Sequence, residues 1–274
     1  MATINTNPGA MIALQNLNKT NMELQTVQQR INTGLAISSA KDNGGVYAIA
    51  QGMRADVGGY RAVSQSLDLA QSTVDVALAA GEAISDLMIE MKEKALAASD
   101  ASIDTASRNA LNEDFTALRD QIATIVANAE FNGTNLISNG DTDITALANA
   151  DGSNVITIGA EDLSLTGTTL TISAGTSIAT QTNASAAAAA IETSLDNLNS
   201  SLARLGTGSK ALEIHKTFVG KLSDALEKGI GNLVDADLAK ESARLQSLQV
   251  KQQLGIQALS IANSAPSTIL GYFR

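Results

Sequence analysis

Residues 49–91 read IAQGMRADVGGYRAVSQSLDLAQSTVDVALAAGEAISDLMIEM, and seam positions recur there at alternating steps of four and three. This spacing is typical of a helix with one narrow apolar stripe that faces a partner helix. We predict a helix from about Val46 to Ala98, which at ~1.5 Å per residue extends for roughly 80 Å. A helix of this length predicts an elongated molecule. The stripe comprises two rows: Met53, Tyr60, Leu67, Val74, Gly81, Met88 and Ala95; and Ile49, Asp56, Val63, Ala70, Ala77, Ile84 and Met91.

Asp56 is the one charged residue in these two rows. A buried carboxylate needs a partner, such as Arg54 or Arg61 of a second copy or a cation of the returning helix. Alternatively, the stripe shifts at Gly58-Gly59, so that Val57 turns inward and Asp56 stays in solvent. We favour the shift.

The composition limits the classes of function. The 274 residues carry a net charge of −10, no Cys, no Trp and 3% aromatic residues, which suits helix seams better than an aromatic-lined pocket. The acidic balance argues against nucleic acid and against an anionic membrane surface as partners. The absence of Cys excludes disulfides and thiolate metal sites. The first seventeen residues lack Lys and Arg, so we expect no cleavable signal peptide.

Both ends of the chain show their own apolar seams. We assign the N-terminal seam to Ala10, Ala13, Leu17, Leu24, Val27 and Ile31, and the C-terminal seam to Leu238, Leu245, Leu248 and Leu259. Ile12 and Leu14 lie off the first seam, and Ile256 and Ile261 lie off the second. A second apolar surface requires a second partner, so we interpret both ends as polymerisation surfaces that fold on assembly, over about residues 1–35 and 235–274.

Between the ends, the sequence predicts a third helix near Leu111–Ala129 and a Gly229-Ile230-Gly231 break before the last helix, which ends at Ala265-Pro266-Ser267. Val155–Gly159 and Leu163–Ile172 alternate as short strands do. We therefore predict a mainly α fold, an elongated antiparallel helical bundle or coiled coil with a small β-hairpin region in the middle of the chain. The expected regions are 1–35 with 235–274 (terminal coiled coil), 36–135 and 183–234 (halves of a rod), and 136–182 (hairpins).

Three separated stretches resemble one known family. They are SSAKDNGGVYAIAQGMRADVGG (38–59), AEFNGTNLI (129–137) and DADLAKESARLQSLQVKQQLGIQALSIANSAPSTILGYFR (235–274). Together they resemble bacterial flagellins, at both ends and in the same order. Only 52 residues separate the FNG turn (131–133) from the alanine run at 186–190, so we expect a short form without outer domains.

The resemblance implies a structural subunit that self-assembles into the flagellar filament for motility, is exported unfolded by the flagellar type III apparatus and is extracellular. The implied partners are copies of itself, paralogous flagellins, hook-associated and cap proteins and an export chaperone. A hook–filament junction protein, or a secreted helical adaptor that does not polymerise, remains the alternative.

The resemblance also directs attention to Ile89–Ala97, read IEMKEKALA, where many relatives carry an Arg-rich stretch that an animal innate receptor reads. Glu90 stands where an Arg is expected, and with Lys92 and Glu93 it predicts a receptor-evading stretch. The Ser/Thr residues of 164–182 are candidates for the O-linked glycans found on many flagellins, and a plain hairpin surface is the equal alternative.

No catalytic, cofactor or metal site is indicated, and we expect no enzyme. His215 is the one histidine, and we interpret it as a helix-surface residue. Gly206-Thr207-Gly208-Ser209-Lys210 lacks the spacing of a phosphate loop. Asp235, Asp237 and Glu241 suit the first turns of a helix, where the helix dipole favours negative charge.

Overall fold

The computed structural model describes residues 6–140 and 142–270, with side chains to residue 264. The chain divides into two compact units, one of residues 1–55 with 225–274 and one of residues 56–224. The elements, in chain order, are α1 (Pro8–Thr33), α2 (Gly44–Ala98), α3 (Thr105–Asn128), β1 (Glu130–Phe131), β2 (Thr134–Asn135), β3 (Ile144–Leu147), β4 (Val155–Ile158), α4 (Gln181–Val234) and α5 (Leu238–Leu270).

The mainly helical fold with two small antiparallel hairpins confirms the predicted fold class. The first hairpin pairs β1 with β2 around Asn132 and Gly133, whose φ angles are 50° and 80°. These left-handed conformations are the ones that an Asn-Gly turn favours. The second hairpin pairs Ile144 with Ile158 and closes through a loop containing Gly152.

The core of the 56–224 unit is built on the predicted stripe of α2. From Val63 to Ala98, α2 buries one residue at every step of three or four, as the heptad pattern predicts. Helix α4 buries the matching row from Ala184 to Val219, and α3 adds Phe115, Ile122 and Val126. The ion pairs Lys92–Glu192 and Lys216–Asp68 show that α2 and α4 run antiparallel.

The stripe shifts at Gly58-Gly59, as predicted for Asp56. Val57 is buried and Asp56 is exposed. On the N-terminal side of the shift, Ala50 is buried and Ile49 is 58% exposed, so the placement of Ile49 in the stripe was wrong. The reason is that the steps around the glycines are three and three, which turns the buried face by one residue.

Residues 163–172 do not form the predicted strands, apart from one isolated bridge between Leu165 and Leu170. The alternation there reflects burial, because Leu163, Leu170 and Ile172 all point into the core. The backbone bonds elsewhere: the N–H of Thr171 donates to Ser194 Oγ on α4 at 2.9 Å. Strand β3, which the sequence prediction missed, supplies the partner that β4 needs.

Two predicted helix ends were also wrong. Helix α4 continues through Gly229 and Gly231 to Val234, because Gly229 allows a close approach: a Cβ built there lies 2.7 Å from Cε of Met53. Helix α5 continues past Pro266 to Leu270, so the proline does not end it.

The β3–β4 hairpin is fixed to both long helices. The N–H of Leu147 donates to Ser66 Oγ on α2 at 3.0 Å, and Nε2 of His215 on α4 lies 2.7 Å from the carbonyl oxygen of Ala148. His215 is therefore half-buried and bonded to the hairpin, which corrects its interpretation as a plain surface residue. This contact could not be predicted from the sequence, because its partner, Ala148, lies 67 positions away in the chain.

Candidate assembly surface on the terminal helices

Helix α1 has well-defined ends. The side chain of Asn7 accepts a hydrogen bond from the N–H of Ala10 at 3.1 Å, Pro8 occupies the first helical turn, and Gly34 closes the helix in a left-handed conformation. All six residues of the predicted N-terminal seam are buried or half-buried, with Val27 the most buried.

Helix α5 packs antiparallel on this seam. Leu245, Leu248 and Leu259 are buried or half-buried, as the seam assignment requires. Leu238 is 49% exposed and thus lies outside the part of the seam that α1 covers. It is the first residue of α5, at a level where the covering helix α1 has reached its end at Thr33.

Polar and small residues complete the α5 stripe at the same steps of four and three. Gln252 donates to Asn21 Oδ1 at 2.8 Å, and Gly255 brings the helices together, since a Cβ there lies 3.3 Å from Cδ1 of Leu17. At the far end, the side-chain amide of Asn7 donates to the carbonyl oxygen of Ala262 at 2.6 Å. The seven-residue spacing from Leu245 and Leu248 places Gln252 and Gly255 on the stripe, although neither has the apolar side chain by which the seam residues were assigned.

An ion pair closes the seam near the start of α5. Nη1 of Arg30 lies 3.1 Å from Oε1 of Glu241, whose side chain is 11% exposed. Nε of Arg30 and Oε2 of Glu241 are buried and find no partner within the described residues. Glu241 therefore faces a cation across the helices, beyond the dipole role predicted for it. A buried pair of this kind is poor evidence for stability and a good means of fixing one register.

Hydrogen bonds join the segment that follows α1 to the segment that precedes α5. The N–H of Ala36 donates to the carbonyl oxygen of Val234 at 2.7 Å, and the N–H of Ala236 donates to that of Gly34 at 2.8 Å. Asp237 caps the start of α5 by accepting from the N–H groups of Ala239 and Lys240, both at 3.1 Å.

Apolar side chains also lie on the faces that the α1–α5 seam leaves open. On α5, Val250, Leu254 and Ile261 fall at helical spacing on the side away from α1, and all three are more than half exposed. Met11, Ile12, Leu14 and Met22 of α1 are exposed as well, as is Ile256 of α5. Each helix thus covers one stripe of the other and keeps a second apolar surface in solvent.

The predicted receptor-evading stretch lies on α2. Glu90 and Glu93 are exposed, and Nζ of Lys92 lies 3.4 Å from Oε2 of Glu192 on α4. The closing residues 271–274 of the stretch that carries the family resemblance lie outside the described residues.

Within residues 6–140 and 142–270, no helix is long and apolar enough to cross a bilayer. In the same ranges, His, Asp and Glu side chains do not gather in groups of three that suit a metal ion.

Comparison with known proteins agrees with this architecture. Residues 4–142 match the bacterial flagellin N-terminal helical region, and residues 188–273 match the bacterial flagellin C-terminal helical region. The flagellin FljK of Caulobacter vibrioides is 57% identical over 277 residues, covering 99% of this chain and 98% of the relative. A flagellin of Brucella melitensis is 39% identical over 283 residues, covering 100% of both chains.

Among solved structures, a putative flagellar hook-associated protein from Vibrio parahaemolyticus aligns with a TM-score of 0.54 at 14% identity, over 71% of this chain and 100% of that one. At that identity the likeness concerns the fold alone. The matches at both ends, together with the full-length relatives, establish that the chain belongs to the bacterial flagellin family.

Proposed function

We propose that the chain is a structural subunit of the flagellar filament and that α1 and α5 are its polymerisation elements. The observation that supports the proposal is the second apolar surface of α5, with Val250, Leu254 and Ile261 exposed opposite the seam. Two helices cover only one stripe each, and further copies of the same chain offer the surfaces that cover the rest. An asymmetric contact that repeats without closing a ring produces a helical filament.

Membership of the flagellin family extends this proposal to the export and assembly of the subunit. The chain is exported unfolded through the flagellar type III apparatus with an export chaperone, reaches the cell exterior by that route, and assembles beneath cap proteins on hook-associated proteins. Paralogous flagellins of the same cell co-assemble with it. Its role is mechanical and not enzymatic, and any O-linked glycans are carried by Ser/Thr residues of 164–182.

Seeded growth tests the proposal. Purified subunits are added to sheared filament fragments, and elongation is followed by light scattering and electron microscopy. Wild-type chain is expected to elongate the fragments, and Leu254→Ser with Ile261→Ser is expected to slow elongation strongly, because both side chains lose their apolar contact with the next copy. Val155→Ser, at an exposed aliphatic residue of β4, is the matched control and elongates normally. Wild-type chain that never elongates fragments contradicts the proposal.

The stretch with Glu90, Lys92 and Glu93 gives a separate expectation. Because Glu90 is an exposed negative charge where the Arg-rich stretch of many flagellins would place a cation, purified subunits are expected to activate the innate receptor weakly in a reporter-cell assay. Glu90→Arg is expected to raise the response, and a wild-type response as strong as that of an Arg-bearing relative contradicts the assignment.

A further inference from the structure

A second stripe on α2 faces away from the core. Glu82, Asp86, Ile89, Glu93 and Leu96 follow one another at steps of four, three, four and three, and all are exposed, with Ile89 at 56% and Leu96 at 64%. We call these five residues the acidic stripe. Such spacing places them on one helix face, opposite the face that packs in the core.

The carboxylates of the acidic stripe form no direct ion pair within the described residues, although Glu93 lies close enough to Lys94 to help raise the pKa of that lysine. The lysines of the same segment form ion pairs with neighbouring helices, Lys92 with Glu192 of α4 at 3.4 Å and Lys94 with Asp114 of α3 at 2.8 Å. Glu82, Asp86 and Glu93 take part in none of the ion pairs found among the described residues. The stripe is therefore a partly apolar surface whose carboxylates are free to form direct ion pairs with a second chain.

Helix α4 carries a complementary surface. Lys210, Ile214, Thr217 and Lys221 recur at steps of four, three and four and, with the adjacent Phe218, line a shallow surface depression. Ile214 and Phe218 are both more than half exposed. We call these five residues the basic stripe. Lys221 has no ion pair within the described residues. Lys210 forms an ion pair with Glu213 of its own helix, an acidic residue that lines the same depression, and both side chains of this pair are exposed. An exposed ion pair of this kind contributes little to the stability of the folded chain, so Lys210 can exchange it for another partner.

We propose that the acidic stripe of one copy packs against the basic stripe of a neighbouring copy in the assembled polymer. This inference rests on the proposed filament function and assigns a specific contact to it. The partner is a second copy of this chain, because one chain supplies both halves of a match in charge and in helical spacing.

The direction of packing follows from polarity. Within one chain, α2 and α4 run antiparallel, as Lys92–Glu192 and Lys216–Asp68 show. Copies of a polar filament share one direction, so α2 of one copy and α4 of the next are also antiparallel.

One antiparallel register matches the two stripes along their length. Glu82 then faces Lys221, Ile89 faces Ile214, and Glu93 faces Lys210, with Asp86 opposite Thr217 between them. The parallel register instead places Asp86 against Ile214 and separates the two isoleucines, which desolvates a carboxylate without a partner. Aliphatic contact flanked by ion pairs is the usual arrangement of a helix seam.

The contact cannot form within one chain. Because Lys216 lies beside Asp68, Ile214 lies level with about residue 70 of α2, roughly nineteen residues before Ile89. At ~1.5 Å per residue, the two isoleucines are separated by about 28 Å along the helices. Contact in trans therefore requires neighbouring copies to be staggered by about 28 Å along their α2–α4 axes.

Cysteine cross-linking tests this geometry directly, because the chain contains no cysteine of its own. In Ile89→Cys with Ile214→Cys, a disulfide needs Cα atoms within about 7 Å, so the bond must join two copies. Oxidised filaments of the double variant are expected to give a ladder of covalent oligomers under denaturing electrophoresis. Dilute monomer and filaments of either single variant give no ladder. Filaments of the double variant without a ladder overturn the proposed contact.

Charge reversal tests the ion pairs. Glu82→Lys and Lys221→Glu each place like charges in register, and each is expected to slow seeded elongation about fivefold or more. The double reversal restores the opposite charges and is expected to recover a rate close to that of the wild type. Asp196→Lys, an equal charge change on α4 about 37 Å before Lys221, is the control and leaves the rate unchanged.

The two proposals fail differently. Wild-type subunits that do not elongate fragments contradict the filament function. Wild-type subunits that elongate while both single reversals also elongate at the wild-type rate, or while the double reversal stays as slow as the single ones, contradict this contact and leave the filament function intact.

Discussion

Two consecutive glycines of α2 have different surroundings. A Cβ built on Gly59 lies 2.7 Å from the carbonyl oxygen and from Cβ of Ala150, in the loop of the β3–β4 hairpin, whereas a Cβ on Gly58 meets nothing within 4 Å. Gly59 thus allows the hairpin loop to rest on the helix. Gly58 has no such constraint, and in a helix it carries only the entropic disadvantage of glycine.

The pair gives a prediction with its own control. Gly58→Ala is expected to stabilise the protein by about 0.5–1 kcal/mol, because alanine restricts the unfolded chain and fits the helix. Gly59→Ala is expected to destabilise it by about 1–3 kcal/mol, because the neighbouring atoms are main chain and cannot yield cheaply. Urea unfolding followed by circular dichroism measures both, and equal effects of the two substitutions contradict the prediction.

Asp104 gives a prediction about pH. Hydrogen bonds from Ser107, through its side chain and its main-chain N–H, lower the pKa of Asp104 at the N-terminus of α3. A lowered folded-state pKa means that the cap stabilises α3 above the unfolded pKa near 4, and that this stabilisation is lost as pH falls through the folded value.

Asp104→Asn retains a capping oxygen and removes the titration. The variant is expected to be less stable than wild type at neutral pH, since it lacks the charge that favours the helix N-terminus, and the difference is expected to vanish as pH falls through the lowered folded-state pKa of Asp104. Other aspartates whose pKa is lowered, such as Asp42 and Asp151, are present in both proteins and contribute equally to the pH dependence of their stability. A stability difference that does not change with pH contradicts the prediction.

At the residue scale, the sequence predicts a position well where one physical rule dominates. Asp56 and Val57 could be assigned because a carboxylate is costly on a buried stripe, and the adjacent glycines offered a place to shift it. Glu241 could not, because its burial depends on Arg30, which lies 211 positions away in the chain. A charged residue at a heptad position is predicted to be solvent-exposed until the oppositely charged partner that allows its burial is known.

At the scale of elements, the seam of α1 and α5 separates two kinds of leucine. Leu248 is buried against α1, while Leu254 lies on the open face at 58% exposure. Leu248→Ala removes contacts inside each subunit, and the loss for a buried leucine is about 2–4 kcal/mol. Leu254→Ala removes contacts only between subunits, if the proposed polymerisation surface is correct.

Filaments of both variants are therefore expected to be less stable than wild-type filaments, for different reasons. In subunits already assembled, both substitutions lower the temperature at which filaments depolymerise on heating. In monomer, Leu254→Ala leaves the circular dichroism melting curve as it is in wild type. A melting curve of the Leu254→Ala monomer that shifts downward by several degrees places Leu254 in an intramolecular contact and contradicts its assignment.

Element boundaries show where sequence patterns stop being informative. Long helices and the Asn-Gly hairpin were predictable because heptad spacing and turn chemistry act locally. The strands expected at Leu163–Ile172 were wrong because apolar alternation reports burial and not hydrogen bonding. Gly229 was taken for a helix end because the side chain that packs on it, Met53, belongs to another helix.

At the scale of the whole molecule, the two units differ in how their cores are closed. The 56–224 unit surrounds its core with α2, α3, α4 and the second hairpin. In the other unit, α1 and α5 rely mainly on one shared stripe, and several large apolar side chains on their outer faces are exposed. Helices with so little tertiary support are marginal in water.

We therefore expect α1 and α5 to lose their helical structure in dilute monomer and to regain it on assembly, when neighbouring copies cover the outer faces. Limited proteolysis with hydrogen exchange measures this. Amides of residues 8–33 and 238–264 are expected to exchange at rates near those of an unfolded chain in monomer and to be protected in filaments, while buried amides of α2 and α4 between residues 63 and 219 are protected in both. Protection of α1 and α5 in dilute monomer as strong as that of α2 contradicts the expectation. It would mean that the shared α1–α5 stripe alone keeps both helices folded and that neighbouring copies are not needed to fold them.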